Sequence, residues 1–124
     1  MTKPRWGIMG PGKISSIALK DFRIAGIEVT AVGSRSLQRA KSYATEHSIE
    51  KAYGSYEELA QDSDVDVIYI ASTNNAHLDN ALLALNSGKH ILLEKPFTLD
   101  AAQARRILEA ARSKKLFAME AMWT

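Results

Sequence analysis

The feature that most constrains the fold is an alternation between short apolar runs and longer amphipathic segments along the chain. The apolar runs are rich in Val and Ile, whereas the longer segments carry apolar residues at helical spacing. Strands joined by helices form parallel sheets, because each helix returns the chain to the edge where the next strand begins. The sequence therefore predicts an α/β fold with a doubly wound parallel sheet and flanking helices.

Six apolar runs are predicted to form the strands of this sheet. They cover residues 6–9, 27–32, 51–53, 65–71, 90–93 and 116–120. Gly26 and Gly88 end two of the predicted helices. Ser55 with Glu58 starts a third, and Asp100 caps the last. The helix residues predicted to face the core are Ile14, Ile17, Ala18, Ala25, Leu37, Ala40, Tyr43, Ala44, Leu78, Ala81, Leu82, Leu85, Ala104, Ile107, Leu108 and Ala111.

Length and composition are typical of one ordinary globular domain. A chain of 124 residues buries one compact core, and no Pro, Gly or Ser linker divides it, so residues 1–124 are predicted as one domain. Six parallel strands are the number found in a dinucleotide-binding Rossmann fold. The formal charge of +2 is spread along the chain, so we expect neither a nucleic-acid nor a membrane partner.

Cysteine is absent, which excludes disulfides, thiolate nucleophiles and zinc–thiolate sites. His47 and His90 have no metal-like spacing to carboxylates, so we interpret both as structural and expect no metal site. The first residues lack the apolar run of a signal peptide, and no stretch approaches the ~18 residues of a membrane span. These features predict a soluble cytoplasmic protein whose redox chemistry needs a cofactor.

A glycine-rich turn joins the first predicted strand to the first predicted helix. It reads Gly-Pro-Gly-Lys-Ile-Ser, with Ser15 where the dinucleotide fingerprint has its third glycine. Glycines here let the backbone approach a pyrophosphate held by the amides of the helix N-terminus. The candidate cofactor-binding residues are Gly10, Gly12, Lys13 and Ile14. The alternative is a tight turn without a ligand.

The end of the second predicted strand carries Ser34 and Arg35, with Arg39 one helical turn further on. An NAD-binding domain places an acidic residue in this region to bind the adenosine ribose hydroxyls. The segment 32–36 holds no carboxylate, and guanidinium groups match the oxygens of a 2′-phosphate. We therefore expect NADP(H) rather than NAD(H). The alternative is that both arginines are solvated charges at a helix start.

Polar residues also follow the fourth and fifth predicted strands, at the sheet edge where open α/β folds bind ligands. Ser72, Asn74 and His77 follow the fourth strand, and Glu94 and Lys95 follow the fifth. A lysine partly desolvated beside a cationic nicotinamide has a lowered proton affinity, which suits proton exchange with a substrate hydroxyl. The alternatives are structural roles at the helix start for the first group and a solvated lysine before a proline for the second.

Three segments, at residues 6–15, 70–77 and 87–96, carry a family resemblance. The most specific of them reads Ser-Gly-Lys-His-Ile-Leu-Leu-Glu-Lys-Pro. Together they resemble the Gfo/Idh/MocA oxidoreductases, the family of glucose-fructose oxidoreductase and inositol dehydrogenase, and the match runs over the whole chain. Residues 119–124 are similar to the branch with dihydrodiol dehydrogenase and NADP-dependent xylose dehydrogenases, which agrees with the interpretation of Arg35.

This resemblance implies an enzyme that moves a hydride between nicotinamide and the carbinol carbon of a sugar, polyol or diol. It implies that Lys95 is the catalytic residue. The chain departs from the family pattern at Thr73, where Pro is usual, and at Asp79, where Glu is usual, which affects local loop geometry. The resemblance places Gly10, Gly12 and Ile14 at the pyrophosphate, Ser34 and Arg35 at the adenosine end, and Ser72, Asn74, His77 and Glu94 at the nicotinamide.

The family's enzymes continue into a second α/β domain, which supplies the substrate pocket and a histidine beside the lysine. On this resemblance residues 1–124 correspond to the dinucleotide-binding domain. We expect the substrate domain to be absent and the chain alone to bind cofactor without turnover, because nothing then holds the alcohol over the nicotinamide. Two alternatives stay open, a stand-alone nucleotide-binding or redox-sensing module without catalysis and a structural domain that has lost its ligand.

The surface that the second domain covers in the family is predicted to be apolar here. Phe97, Met119, Met122 and Trp123 lie near the ends of the last two predicted strands. Each large apolar side chain gains about 1.5–3 kcal/mol on full burial, and the last strand is predicted to offer an unpaired edge. We therefore expect a homodimer or higher oligomer through this surface.

Overall fold

The fold is one parallel sheet with helices on both faces. The computed structural model describes residues 3–72, 76–94 and 101–120. Within these ranges the strands are β1 (Arg5–Met9), β2 (Glu28–Gly33), β3 (Lys51–Tyr53), β4 (Val67–Ile70), β5 (His90–Leu93) and β6 (Ala118–Glu120). The helices are α1 (Lys13–Ile24), α2 (Leu37–His47), α3 (Tyr56–Ala60), α4 (His77–Asn86) and α5 (Ala101–Ser113).

The strand order in the sheet is β3-β2-β1-β4-β5-β6, and each pair of neighbours is parallel. The chain starts in the middle, runs outward to β3, returns to β4 beside β1 and then runs outward the other way. This is the order of the doubly wound dinucleotide-binding fold, so the predicted fold class is confirmed. Because the direction changes between β1 and β4, the carboxyl ends of these strands border a crevice.

Two apolar cores cover the two faces of the sheet. Neighbouring residues of a strand point to opposite faces, so Ile8 and Tyr69 lie in one core, and Met9 and Ile70 lie in the other. The first core is completed by α1 and α2, and the second by α3, α4 and α5. All four residues of β4 are buried, as expected for a strand covered on both faces.

The buried face of α1 differs from the predicted one. Ile14 and Ile17 were predicted to face the core, but they are 52% and 58% exposed. Ala25 is exposed as well, because the helix ends before it. The turn before the helix sets a different rotation about the helix axis. The residues that face the sheet, at the spacing i, i+3, i+4 and i+7, are Ser15, Ala18, Leu19 and Phe22.

Leu37 and Leu108 are also wrongly predicted to face the core, because both are exposed. Leu37 is the first residue of α2 and lies against the backbone of Gly54 instead. Leu108 follows Ile107, which takes the buried position on α5. The predicted cap of α5, Asp100, lies outside the described residues.

Two strands are shorter than predicted. β4 and β6 each begin two residues later than the apolar runs suggest, because the preceding residues lie in turns. The amide of Val65 donates to the carbonyl of Asp62 (3.1 Å). The amide of Leu116 donates to the carbonyl of Ala111 (2.8 Å) after the end of α5. Apolar character therefore marks burial at these positions rather than strand geometry.

Charged side chains pair with one another near the amino ends of the strands. Lys51 Nζ lies 3.3 Å from Asp62 Oδ2 and 3.0 Å from Asp64 Oδ2. The hydrogen bond to Asp64 is the main reason that the pKa of Lys51 is raised to about 12. Burial opposes ionisation of Asp62, but hydrogen bonds from the Tyr53 hydroxyl (2.7 Å), the Asp64 amide and Lys51 outweigh it and hold the pKa of Asp62 below its ordinary value.

Lys89 is buried at the same end of the sheet, directly before β5. Its ammonium donates to the carbonyls of Asp62 and Val65, both at 2.6 Å. Burial lowers the pKa of Lys89. Next to it, the amide of Arg5 donates to Asp66 Oδ2 (2.9 Å), so the start of β1 is bonded to the residue before β4.

β6 forms one edge of the sheet. Phe117 and Met119 on and beside this strand are 70% and 52% exposed. The other residues of the predicted apolar surface, Phe97, Met122 and Trp123, lie outside the described residues. In the described part of the chain, the helices are too short or too polar to cross a membrane.

Candidate functional site

The glycine-rich turn after β1 touches the loop after β4. Gly10 has a φ of +103°, and a Cβ there would lie 3.0 Å from the backbone nitrogen of Ser72. Both the left-handed backbone and the close approach require glycine. The amide of Gly10 donates to the carbonyl of Gly33 at the end of β2 (3.0 Å). The turn is thus held between the carboxyl ends of β2 and β4.

Gly12 precedes α1 in extended backbone, with a φ of 164°, which any residue adopts. Within the described part of the chain, a Cβ at this position would meet no atom within 4 Å. Packing therefore gives no reason for glycine here. The open space lies at the N-terminus of α1, where amide groups carry partial positive charge and where, among the described residues, no side chain caps the helix. Such a space is suited to an anion.

Ser15 closes the glycine-rich turn from inside. It is buried, and its hydroxyl donates to the carbonyl of Gly10 (2.5 Å). The hydroxyl of Ser16 donates to the carbonyl of Gly12 (2.9 Å). These two bonds fix the turn in the shape that exposes the first amides of α1. The side chains of Lys13 and Ile14 are exposed at the start of this helix.

Ser34 is buried at the end of β2. Its amide donates to the carbonyl of Tyr53 (3.0 Å), and its hydroxyl accepts from the amide of Ser36 (3.2 Å). Ser36 caps α2, because its hydroxyl accepts from the amide of Arg39 (3.3 Å). The Ser34 hydroxyl retains a proton of its own that can be donated to a ligand oxygen.

Arg35 and Arg39 bring two guanidinium groups to this edge of the sheet. Arg35 Cζ lies over the ring of Tyr56, 5.7 Å from its centroid, which is within the range of a cation–π contact. Arg39 Nη2 donates to the carbonyl of Pro11 (3.4 Å). This bond links α2 to the glycine-rich turn.

A cleft of about 350 Å³ joins the glycine-rich turn, the end of β2 and the end of β4. Its lining residues are Gly10, Pro11, Ser34, Arg35, Arg39, Tyr56, Ala71, Ser72 and Ala76. The predicted residues Gly10, Ser34, Arg35, Arg39 and Ser72 are therefore brought together. Two arginines and, among the described lining residues, no carboxylate border the cleft, so its charge favours an anionic ligand.

Two side chains of α4 hold the loop after β4 in place. Asn80 Nδ2 donates to the hydroxyl of Ser72 (2.7 Å). His77 Nε2 lies 2.9 Å from the carbonyl of Ser72, and since a carbonyl only accepts, this nitrogen carries the proton. His77 is buried and bonds Ser72 from outside the described lining of the cleft, and its contact with a cofactor stays a prediction. The predicted residue Asn74 lies outside the described residues.

Glu94 follows β5 at the same edge of the sheet. Its amide donates to the carbonyl of Ile70 (3.0 Å), and its carboxylate accepts from the hydroxyl of the buried Tyr69. Both bonds come from β4, so Glu94 is held beside the central strands. The next residue, Lys95, was predicted to be catalytic and lies outside the described residues.

A second cleft, of about 370 Å³, lies between α1 and α2 on the other side of Arg39. His47 Nε2 lies 3.3 Å from Ser16 Oγ, and the rings of His47 and Tyr43 are 4.3 Å apart. Burial raises the pKa of Tyr43. These contacts join the two helices, in agreement with the structural interpretation of His47.

The chain matches a known protein family over almost its whole length. Residues 4–122 match the model of an oxidoreductase family with an NAD-binding Rossmann fold, the Gfo/Idh/MocA family. The chain belongs to this family. The predicted resemblance is therefore confirmed, and the cleft lies where this fold binds a dinucleotide.

Relatives of this family member include trans-1,2-dihydrobenzene-1,2-diol dehydrogenases. The enzyme of Xenopus tropicalis is 45% identical over 123 residues, and the match covers 97% of the chain and 37% of the relative. The human enzyme is 46% identical over the same length with the same coverage. The chain spans about 37% of the length of the curated relatives it matches.

Solved structures of other oxidoreductases share this fold. An NAD-binding oxidoreductase from Klebsiella pneumoniae superimposes with a TM-score of 0.91 at 29% identity, over 97% of this chain and 34% of that one. A 3-ketoreductase from Actinomadura kijaniata in complex with TDP-benzene and NADP gives a TM-score of 0.90 at 35% identity, over 96% and 37%.

Sequence analysis missed two residues of this Rossmann site, Tyr56 and Asn80. Ser55 and Glu58 were identified as a helix start, so Tyr56 was available as the first residue of α3. Its position over Arg35, however, comes from the pairing of β2 with β3. Asn80 lies three residues after His77 on the same face of α4, and this spacing is the signal that could have identified it.

Proposed function

We propose that this chain is the NADP(H)-binding domain of an oxidoreductase that transfers a hydride between nicotinamide and the carbinol carbon of a sugar, polyol or diol. The observation that carries the proposal is the cleft in which the glycine-rich turn meets two arginines without a lining carboxylate among the described residues. Relatives named for a dihydrodiol and a 3-keto substrate support the substrate class.

Each part of the cofactor has a proposed binding site in this edge of the sheet. The pyrophosphate would lie over Gly12 against the first amides of α1, where the missing side chain leaves room. The 2′-phosphate would be bound by the Ser34 hydroxyl and the guanidinium groups of Arg35 and Arg39. Ser72, Asn74, His77 and Glu94 are proposed for the nicotinamide side.

When bound, the nicotinamide dinucleotide supplies the group that accepts or donates the hydride. Lys95 is proposed to exchange the proton of the substrate hydroxyl, because a lysine beside a positively charged ring loses proton affinity. A cytoplasmic location is part of the proposal and is supported by the absence of cysteine.

The experiment is a fluorescence titration of the purified chain with NADPH and with NADH. Arg35→Ala should weaken NADPH binding by about 1.5–3 kcal/mol, about ten- to a hundredfold, and leave NADH binding unchanged. The matched control is Arg106→Ala, which removes an exposed arginine of α5 far from the cleft. Equal affinities of the unaltered chain for the two cofactors, or an Arg35→Ala variant with the original NADPH affinity, would contradict the 2′-phosphate site.

We further propose that copies of the chain associate through the β6 edge. The exposure of Phe117 and Met119 supports this proposal, as does the position of β6 at the edge of the sheet in the described part of the chain. Light scattering at increasing concentration should show a mass above that of one chain, and Met119→Lys should lower it. A monomeric mass at every concentration would contradict the association and leave the cofactor assignment untouched.

A further inference from the structure

We propose that Tyr56 is a positioning residue that holds the Arg35 guanidinium at the cofactor cleft and thereby sets the preference for NADPH over NADH. This inference rests on the proposed function, because it presupposes that Arg35 binds the 2′-phosphate. The geometry behind it is the placement of Arg35 Cζ over the Tyr56 ring, 5.7 Å from the centroid. Both residues line the cleft of about 350 Å³.

The position of Tyr56 is fixed by the start of α3. Ser55 caps this helix, since its hydroxyl accepts from the amide of Glu58 (3.1 Å). The same hydroxyl lies 3.1 Å from Glu58 Oε1, to which it can donate. The capping serine fixes where the helix begins and so holds the first helical residue in a defined orientation. That residue is Tyr56.

The turn that leads into α3 is also pressed against the start of α2. A Cβ on Gly54 would lie 3.0 Å from the Cβ of Leu37. The amide of Ser34 donates to the carbonyl of Tyr53 (3.0 Å), which ties the residue before Arg35 to the strand before this turn. The backbone on both sides of Arg35 therefore lies against the segment that leads into Tyr56.

A further cavity, separate from the cofactor cleft and from the cleft between α1 and α2, explains why the Arg35 side chain has to be held in position. This cavity, of about 460 Å³, is bordered by Arg35 and Tyr56 and also by the carboxylates of Glu57 and Asp79. An arginine side chain is long and flexible, and these two carboxylates compete with a phosphate for its charge. The aromatic face of Tyr56 attracts the guanidinium and restricts the orientations it can adopt. Tyr56 thus holds the guanidinium at the boundary between the cofactor cleft and this acidic cavity, since Arg35 and Tyr56 line both, and limits how far it can turn toward the carboxylates.

The test measures NADPH and NADH affinity for Tyr56→Leu and Tyr56→Met, two changes that remove the ring but keep an apolar side chain. We expect NADPH binding to weaken about two- to fivefold and NADH binding to stay unchanged, since a cation–π contact at an exposed site is of this size. Tyr56→Phe keeps the ring and should restore the original ratio of the two affinities. In an Arg35→Ala background the same changes should leave NADPH binding as it is.

Each other outcome overturns the inference. Equal weakening of both cofactors would mean that Tyr56 contacts the shared adenine, and no change in either would mean that the ring contact is without consequence. A loss of NADPH affinity that persists in the Arg35→Ala background would show that Tyr56 acts independently of Arg35. If Arg35→Ala itself leaves the NADPH affinity intact, the proposed function fails, and this result is separate from those of the Tyr56 variants.

Discussion

Charged side chains at the amino ends of the strands have different surroundings from those at the carboxyl ends. At the amino ends of the strands, Lys51 is paired with Asp62 and Asp64, and the ammonium of Lys89 is bonded to backbone carbonyls. At the carboxyl ends, Arg35 and Arg39 border an open cleft, which among its described lining residues holds no carboxylate. Within the described residues, Arg35 lies over the ring of Tyr56 and Arg39 donates to the carbonyl of Pro11.

This difference separates charges that stabilise the fold from charges available to a ligand. A charge that is partly buried and paired contributes to stability, and breaking its pair leaves an uncompensated group. A charge kept at an open cleft gains little from the folded protein and interacts fully with an anion. We therefore expect substitutions of charged residues at the amino ends of the strands to change only the stability of the fold. Substitutions of side chains that line the cleft should change only cofactor binding.

The largest expected effect on stability is at Gly10, which lies at the carboxyl ends of the strands but is required by the backbone conformation. Gly10 is therefore an exception to this separation. Gly10→Ala should lower the free energy of unfolding by about 3 kcal/mol, since it adds both backbone strain and a steric clash with Ser72. The control is Gly88→Ala, where φ is +82° but a Cβ meets no atom of the described residues within 4 Å. Denaturant unfolding should show a loss of about 1 kcal/mol there. Equal losses would show that the clash contributes nothing.

Asp62→Asn tests the paired charges at the amino ends of the strands. Removing the buried carboxylate should lower the free energy of unfolding by about 1–3 kcal/mol near pH 7, with NADPH affinity unchanged. The pKa of Asp62 is lowered in the folded protein, so its contribution is present above its ordinary value of 3.8 and is lost as pH falls through the folded pKa. The difference in the free energy of unfolding between the unaltered protein and Asp62→Asn, measured in urea, should therefore shrink as the pH falls below 3.8. A constant difference at all pH values would contradict the role of the charge.

Gly12→Ala tests the N-terminus of α1, where Gly12 borders the cleft between α1 and α2 next to the one lined by Arg35. The extended backbone accepts alanine and the added Cβ meets open space, so stability should change by less than about 0.5 kcal/mol. NADPH binding should weaken on the order of tenfold, about 1.4 kcal/mol, because the methyl group occupies the space proposed for the pyrophosphate. Calorimetric titration together with thermal unfolding measures both quantities. Unchanged affinity would remove Gly12 from the proposed site.

The smallest effect is expected for Asp64→Asn. Asp64 shares Lys51 with Asp62 but is exposed, and solvent screens such a pair. The loss of stability should be clearly smaller than that for Asp62→Asn in the same urea unfolding measurement. Losses of equal size would mean that burial does not distinguish the two carboxylates.

The sheet could be predicted because its signals are local. Each strand is a short apolar run, and the number and type of connections leave few topologies, so the doubly wound order followed. Helix rotation could not be predicted for α1, because the glycine-rich turn orients Ser15 rather than Ile14 toward the sheet. The apolar residues Val65 and Leu116 are in turns for a similar reason, since burial and strand geometry are separate properties.

The candidate site also has a part that could be predicted from the sequence and a part that could not. The glycine-rich turn and the Ser34–Arg35 pair are adjacent in sequence and carry a recognisable chemistry, so they could be identified in advance. The contact of Arg35 with Tyr56 joins separate elements, and no local pattern indicates it. The bond from Asn80 to Ser72 is indicated only by the spacing of Asn80 from His77 on α4. Sequence also suggested a ligand contact for His77, whereas its burial beneath the Ser72 carbonyl became visible only in the folded chain.

The ammonium of Lys89 has a consequence for how this protein opens. It binds two carbonyls of the turn between α3 and β4, where a sheet would supply backbone amides as donors. Turns of this kind usually fluctuate on their own and are the first places where amide protons exchange with solvent or a protease cuts. Here the turn cannot separate from β5 without exposing a buried cation and two carbonyls together. Its amides should therefore exchange at rates close to those of the central strands, as part of one cooperative unit.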